Sequence, residues 1–277
     1  MGFRDRYREI RYGFESTFWV ANVLELFERL AFYGAKAVLV VFLANKAGLE
    51  ADAGTLAGIF SGLIFSLPVV AGVFVDKYGF KKTLMACFTI FCAGYFLIGM
   101  AGMEFGQGIA EAVGKKTYII VVLVLTAVGG SLIKPCIVGT VDRTSRPEAK
   151  ALGFSIYYTL VNIGGAVGPL VALQVREGLG IEFVLVMSSL TSLLLLLGTV
   201  LFFREPLSGA SGTHRVRTFG KVFQDMLMVF ANIRFMTFLL IFSGFWIMFW
   251  QIFLLLPFYT LEVLHFEKFE ILETIDA

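Results

Sequence analysis

Charged residues are scarce in this 277-residue chain: they make up 16% of the sequence, while 58% is apolar. A soluble domain is about a quarter charged, so the composition excludes an ordinary soluble protein. Three cysteines are too few to indicate a disulfide framework. The two histidines, His214 and His265, have no companions at metal-ligand spacing. The sequence predicts a polytopic membrane protein without enzymatic chemistry, cofactor, metal site or nucleic-acid partner.

Long apolar runs divide the chain into segments that can cross a bilayer. Each is near or above the roughly 20 residues that a transmembrane helix needs. The seven runs lie at about 14–44, 54–75, 83–103, 117–141, 151–174, 181–203 and 234–260. No cleavable signal peptide precedes the first run, so we expect the first helix to act as its own insertion signal.

Lysine and arginine are distributed unequally between the two sides of these runs. Fifteen lie in the N-terminal segment and in the loops that share its side, against five on the opposite side. Cytoplasmic loops are enriched in these residues. The bias predicts a multi-pass protein of the plasma (inner) membrane with a cytoplasmic N-terminus.

The runs also suggest three domains. The first six form two groups of three, each with buried charge in its first run, which predicts inverted repeats in a six-helix bundle over 1–203. Residues 204–233 are polar and basic and read as a cytoplasmic linker with an amphipathic helix near 218–230. Residues 234–277 would be a seventh helix and a tail, the start of an incomplete second bundle. We therefore expect a truncated chain whose full-length form carries the missing bundle.

A charged stripe lies inside the first run. Glu25, Glu28, Arg29, Phe32 and Lys36 fall on one face of a helix with 3.6 residues per turn. Ionisable residues inside a membrane are costly and usually mark function. The stripe is predicted to line a substrate or proton path; the alternative is an ion pair that only packs helices.

Three polar residues on different predicted helices share a depth. Counted at about 1.5 Å per residue, Glu25, Lys134 and Asn162 lie roughly 14, 11 and 16 Å from the cytoplasmic side. A carboxylate and an ammonium that separate as a cavity opens form a proton-sensitive pair. A permanent structural bridge is the other interpretation.

Four segments, in order, resemble one family, the proton-dependent oligopeptide transporters of the major facilitator superfamily. E-L-F-E-R-L-A-F-Y-G (25–34) resembles its E-x-x-E-R-F-x-Y-Y-G, and G-V-F-V-D-K-Y-G-F-K-K-T (72–83) resembles the superfamily's G-x-x-x-D-[RK]-x-G-[RK]-[RK]. G-G-S-L-I-K-P (129–135) is similar to G-x-G-x-x-K-P, and F-S-I-Y-Y-T-L-V-N-I-G-G (154–165) to F-x-x-F-Y-x-x-I-N-x-G. The glycines at 129–130 and 164–168 lie within spans and are predicted to be close helix-packing sites.

The resemblance implies roles for three sets of residues. The residues implied in proton coupling are Glu25, Glu28, Arg29 and Lys134. The residues implied in substrate binding are Tyr33, Lys36, Phe65, Lys134, Asn162 and Gln251. The residues implied in conformational gating are Asp76, Lys77, Gly79 and Lys81, where Asp76 would cap or pair with neighbouring helix ends.

The sequence also departs from the family pattern. Phe32 and Phe65 stand where the family has tyrosines, so two hydroxyls that would bind a peptide are missing. Lys36 replaces an arginine and lacks its bidentate fork. Trp250 precedes Gln251, at a position where the family has an acidic residue that can pair with the lysine corresponding to Lys134.

The favoured function is proton-coupled symport of small peptides or peptide-like solutes by alternating access, in a lipid bilayer and with the proton gradient as driving force. Symport of a non-peptide solute and a non-transporting N-terminal fragment remain alternatives. A seven-helix receptor or photosensor fits poorly, because the charge bias places the N-terminus inside and the seventh run has no lysine for a retinal Schiff base.

Overall fold

The structure, a computed structural model, describes residues 10, 12–206 and 219–262, and of 219, 222 and 250–262 it describes the backbone alone. The basic residues before position 10, His214 and His265 lie outside the described residues. The chain divides into two compact units, Met1–Arg217 and Thr218–Ala277. The domain boundaries proposed at 203 and 233 stay predictions.

Four helices make up the first three spans of the first unit. They are α1 (Ser16–Val41), α2 (Ala53–Ser66), α3 (Pro68–Tyr78) and α4 (Phe80–Met100). A π-helical turn, Phe42–Lys46, prolongs α1. The second span is broken, since the segments on either side of Leu67 meet at 47°. Pro68 begins α3, the position where a missing N–H costs a helix least.

Five further helices follow in the described part of the first unit. They are α5 (Glu104–Val113), α6 (Lys115–Ser131), α7 (Ile133–Thr144), α8 (Lys150–Gly178) and α9 (Ile181–Phe202). The fourth span is interrupted at Leu132, because Pro135 has no N–H to offer the Ser131 carbonyl. The apolar runs did not indicate α5, which is too short and polar to register as a span.

Most of these helices suit a membrane by length and composition. Among the described residues four helices can cross one, and up to six if each of two bent pairs counts as one span. The first helix is not among the four because it carries Glu25, Glu28, Arg29 and Lys36. All six apolar runs before residue 204 nevertheless coincide with a helix or a broken helix.

The packing of the six spans repeats itself. The first span, α1, packs against α8 and α9, the fifth and sixth spans. The fourth span, α6 and α7, packs against the second and third in the same way, and α4 packs on α9. Exchanging the two groups of three maps these contacts onto one another, as two structural repeats require.

The described residues of the second unit, 219–262, contain two helices. They are α10 (Phe219–Ala231) and α11 (Ile233–Glu262). The segments Phe223–Ala231 and Ile233–Phe249 meet at 86°, around Asn232. The Asn232 side chain accepts a hydrogen bond from the Phe235 N–H, at 3.2 Å, and so caps the start of α11. Helix α10 lies where the amphipathic helix was predicted.

Candidate functional site

The three charges of the first half of the stripe come together as predicted. Glu25, Glu28 and Arg29 on α1 are 0%, 2% and 5% exposed. The Arg29 Nε lies 3.3 Å from Glu25 Oε1 and also contacts Glu28 Oε2. We call these three residues the charged cluster. One helix thus holds two carboxylates on one guanidinium, away from water.

The charge of this cluster is unbalanced. Two ionised carboxylates and one guanidinium would leave a net negative charge in a buried site, which is costly. Glu25 Oε2 and Glu28 Oε1 are buried and have no hydrogen-bond partner in the described part of the chain. A proton on one of the two carboxyls removes the imbalance. The cluster is therefore a candidate site for a proton.

Glycines on α8 bring that helix close enough to bury the cluster. A Cβ added at Gly164 would lie 2.7 Å from the Arg29 Cβ and 2.9 Å from the Leu26 carbonyl oxygen. A Cβ at Gly168 would lie 2.5 Å from the Leu30 carbonyl oxygen. The prediction that these glycines are helix-packing sites is confirmed. It is also confirmed at Gly129, where an added Cβ would lie 2.6 Å from the Ile90 side chain.

Tyr157 on α8 is a member of the site that the sequence analysis missed. It is 3% exposed, and its hydroxyl donates a hydrogen bond to Glu25 Oε1 at 3.3 Å. The residue lies in F-S-I-Y-Y, inside a segment already singled out, but its partner is 132 residues away. No local pattern indicates such a contact.

Lys36 and Lys134 meet at a different place from the cluster. Their ammonium groups lie 5.6 and 5.0 Å from the centre of the Phe65 ring, which is 48% exposed. Cations bind to aromatic faces at such distances. Neither lysine forms an ion pair with Glu25 or Glu28 in the described residues. Lys134 was predicted to lie level with Glu25, and the structure places its ammonium against the Phe65 ring.

Three further residues were predicted to bind substrate. Tyr33 is half-buried, with its ring centre 6.0 Å from the Arg29 guanidinium. Asn162 is exposed on α8. Gln251 falls in α11, where only the backbone is described. Their roles in binding stay predictions.

The loop between α3 and α4 is fixed by a residue that follows α9. Glu205 accepts hydrogen bonds from the Phe80 and Lys81 N–H groups, at 2.6 and 2.9 Å, and so caps the start of α4. The Lys81 ammonium donates to the Val200 carbonyl at 2.9 Å. Gly79 has a φ of 83°, a conformation that favours glycine.

Asp76 does not cap a helix in this conformation. It lies exposed and has no hydrogen bond or ion pair within the described residues, and Glu205 occupies the helix start instead. Lys77 is exposed, with its ammonium 5.1 Å from the Tyr78 ring centre. The gating roles of Asp76, Lys77, Gly79 and Lys81 stay predictions.

Replacing Glu205 with alanine is expected to lower the free energy of unfolding by about 1 kcal/mol, because two N–H groups at the start of α4 lose their acceptor. Unfolding of the purified chain in mixed detergent and SDS measures this. Glu111→Ala is the control, because the Glu111 side chain is 60% exposed and pairs only with Lys115 in the described residues. An equal loss in both variants would contradict the capping role.

Comparisons with known proteins agree with this picture. The Major Facilitator Superfamily model matches residues 23–274. Dipeptide and tripeptide permease A of Escherichia coli (strain K12) is 29% identical over 153 residues, which are 53% of this chain and 28% of the permease. The permease A of Klebsiella pneumoniae (strain 342) is 27% identical over 176 residues, 61% of this chain and 33% of that protein.

Solved structures share the fold. A crystal structure of a peptide transporter POT in complex with sulfate superposes with a TM-score of 0.61 at 21% identity and covers 93% of this chain and 48% of its own. A POT family transporter in complex with 5-aminolevulinic acid gives 0.60 at 17% identity and covers 82% and 46%. This chain thus spans about half of these transporters.

The fold and site together define a polytopic helical membrane protein with a charged centre in its six-helix bundle. The chain belongs to the Major Facilitator Superfamily, and within it the chain resembles the proton-dependent oligopeptide transporters. The predicted fold class, a six-helix N-terminal bundle followed by a seventh helix, is confirmed.

Proposed function

We propose that this chain provides the N-terminal bundle of a secondary active transporter that couples proton flow to the symport of small peptides or peptide-like solutes by alternating access. The observation that carries the proposal is the charged cluster: two carboxylates, each at most 2% exposed, share one guanidinium inside a span. Ionisable residues inside a membrane are energetically costly, and those that occur there usually have a function. A second bundle would complete the cavity.

The solute is proposed to bind beside the cluster, at Lys36, Lys134 and Phe65. Both ammonium groups use the Phe65 ring as a partner and retain N–H donors for a carboxylate. A peptide presents one carboxylate at its C-terminus, and the similar permeases are named for dipeptides and tripeptides. The N-terminus is proposed to face the cytoplasm across the plasma (inner) membrane, as the lysine and arginine bias indicates.

A second candidate is proton-coupled transport of a small non-peptide solute. Phe32 is 2% exposed, and its ring centre lies 5.0 Å from the Arg29 guanidinium. The ammonium groups of Lys36 and Lys134 lie against the Phe65 ring. Neither ring offers the hydroxyl that would bind a peptide backbone. One similar structure holds 5-aminolevulinic acid, a small amino acid. Competition between a dipeptide and such an acid in one uptake assay separates the two candidates.

Proton-driven uptake tests the proposal. The full-length protein that contains this chain is reconstituted in liposomes, and dipeptide uptake is followed after an imposed pH gradient. Lys134→Ala is expected to reduce uptake roughly tenfold or more, since a lost contact to a charged group is worth about 1.5–3 kcal/mol. Glu28→Gln is expected to abolish the response to the gradient while leaving solute exchange without a gradient.

The matched control for Lys134 is Lys115→Ala. Lys115 begins the same span, is 42% exposed in its side chain and pairs with Glu111. Its replacement is expected to leave uptake unchanged. Equal uptake by all variants, or uptake that ignores the gradient in the unaltered protein, would contradict proton-coupled symport through this site.

A further inference from the structure

We propose that Tyr157 is a positioning residue of the charged cluster: its hydroxyl holds Glu25 in place and sets the pH at which this carboxyl takes up a proton. The inference rests on the proposed proton-coupled function and assigns a further residue to it. It rests on the contact between two helices that Tyr157 of α8 makes with Glu25 of α1.

The contacts of Glu25 are few and long. Tyr157 and Arg29 both bind the same oxygen, Oε1, and each does so at 3.3 Å. Hydrogen bonds between two oxygens are usually about 2.7–2.8 Å long. The other oxygen, Oε2, has no partner among the described residues. Glu28, by contrast, is in close contact with Arg29. Glu25 is therefore the more loosely held carboxyl of the two.

Tyr157 can bind a protonated Glu25 either as donor or as acceptor, whereas Arg29 can only donate to it. A hydroxyl is a donor and an acceptor, whereas a guanidinium only donates. When Glu25 is ionised, the Tyr157 hydroxyl donates to it. When Glu25 is protonated, its own O–H can donate to the Tyr157 oxygen, while its carbonyl oxygen can still accept from Arg29. Because hydrogen bonds to charged groups are the stronger ones, Tyr157 favours the ionised state.

Other groups around the pair act from further away. Glu28 and Arg29 share α1 with Glu25, and Lys134 on α7 and Cys87 on α4 lie near enough to interact with it electrostatically. Lys134 is engaged with the Phe65 ring and makes no ion pair with Glu25 in the described residues. Tyr157 is thus the side chain that binds Glu25 directly from another helix within the described part. Movement of α8 against α1 would change this bond.

Infrared titration of the purified chain tests the assignment without any transport. The carbonyl band of the protonated Glu25 carboxyl is identified by its loss in Glu25→Gln, and its pH midpoint is compared in two variants. Tyr157→Phe is expected to raise this midpoint by about half to one pH unit, because the ionised carboxylate loses more than the protonated one. Tyr158→Phe is the control, since that neighbouring ring is 60% exposed. In this variant the pH midpoint of the Glu25 band is expected to remain unchanged.

Three results would overturn the proposal: an unchanged midpoint in Tyr157→Phe, an equal change in both variants, or no band that Glu25→Gln removes. In the full-length protein, the pH of half-maximal uptake is expected to move with the infrared midpoint. If the midpoint moves but the unaltered protein shows no gradient-driven uptake, the proposed function fails while the role of Tyr157 in holding Glu25 is supported.

Discussion

Replacing Arg29 with methionine is expected to lower the free energy of unfolding by about 3–5 kcal/mol, because removing one partner of a buried ion pair leaves the other charge uncompensated. Glu25 and Glu28, which are 0% and 2% exposed, would both be left without a compensating cation. Arg29 is the cation that contacts both of them in the described residues. Unfolding of the purified chain in mixed detergent and SDS measures the change.

Two further variants decide whether charge or packing causes the loss. Combining Arg29→Met with Glu25→Gln and Glu28→Gln removes every charge of the cluster and is expected to restore most of the stability, since neutral replacement of a whole buried ion pair is often tolerated. Lys150→Met breaks the exposed pair with Asp142, whose side chains are 42% and 48% exposed, and is expected to cost less than about 1 kcal/mol. If the triple variant were as unstable as Arg29→Met, lost packing would be the cause.

Part of the charged cluster was predictable from helix geometry. Residues three and four apart share a face, which places Glu25 beside Glu28 and Arg29 once the first run forms a helix. The contact between the adjacent residues Glu28 and Arg29 depends instead on the direction of their side chains. Lys36 lies on the same stripe but nearer the C-terminal end of α1, where its long side chain reaches Phe65 on α2. Periodicity gives the face of a helix and leaves open which neighbouring helix covers it.

Depth was a weaker guide than periodicity. Counting residues placed Lys134 level with Glu25, and the suggested pair between them is absent from the described residues. Rise per residue gives the height of a Cα along the membrane normal, but says nothing about the rotation of the helix or the direction of the side chain.

Contacts between distant segments could not be predicted. Tyr157 binds Glu25 across 132 residues, and Glu205 binds Phe80 across 125. Both are polar residues in unremarkable positions, one inside an apolar span and one just after it. Their partners depend on how whole spans pack, and one sequence without its relatives contains no record of that packing.

The packing of α1 on α8 leads to the second large prediction. Replacing Gly168 with leucine is expected to lower the free energy of unfolding by about 3 kcal/mol or more, at the upper end of overpacking effects. An added Cβ would already lie 2.5 Å from the Leu30 carbonyl oxygen and 3.2 Å from the Gly34 nitrogen. These are backbone atoms of α1, which cannot turn aside as a flexible side chain can.

Gly178→Ala, near the end of the same helix, is the matched control. A Cβ at Gly178 would meet nothing within 4 Å, so alanine is expected to leave stability unchanged or to raise it by up to about 1 kcal/mol through helix propensity. Gly168→Ala should fall between Gly168→Leu and the control, because it adds the clashing atom alone. Since α8 carries Tyr157, forcing the helices apart should also shift the infrared midpoint of Glu25. A stability loss at Gly168 with an unmoved midpoint would mean that the charged cluster does not depend on this contact between α1 and α8.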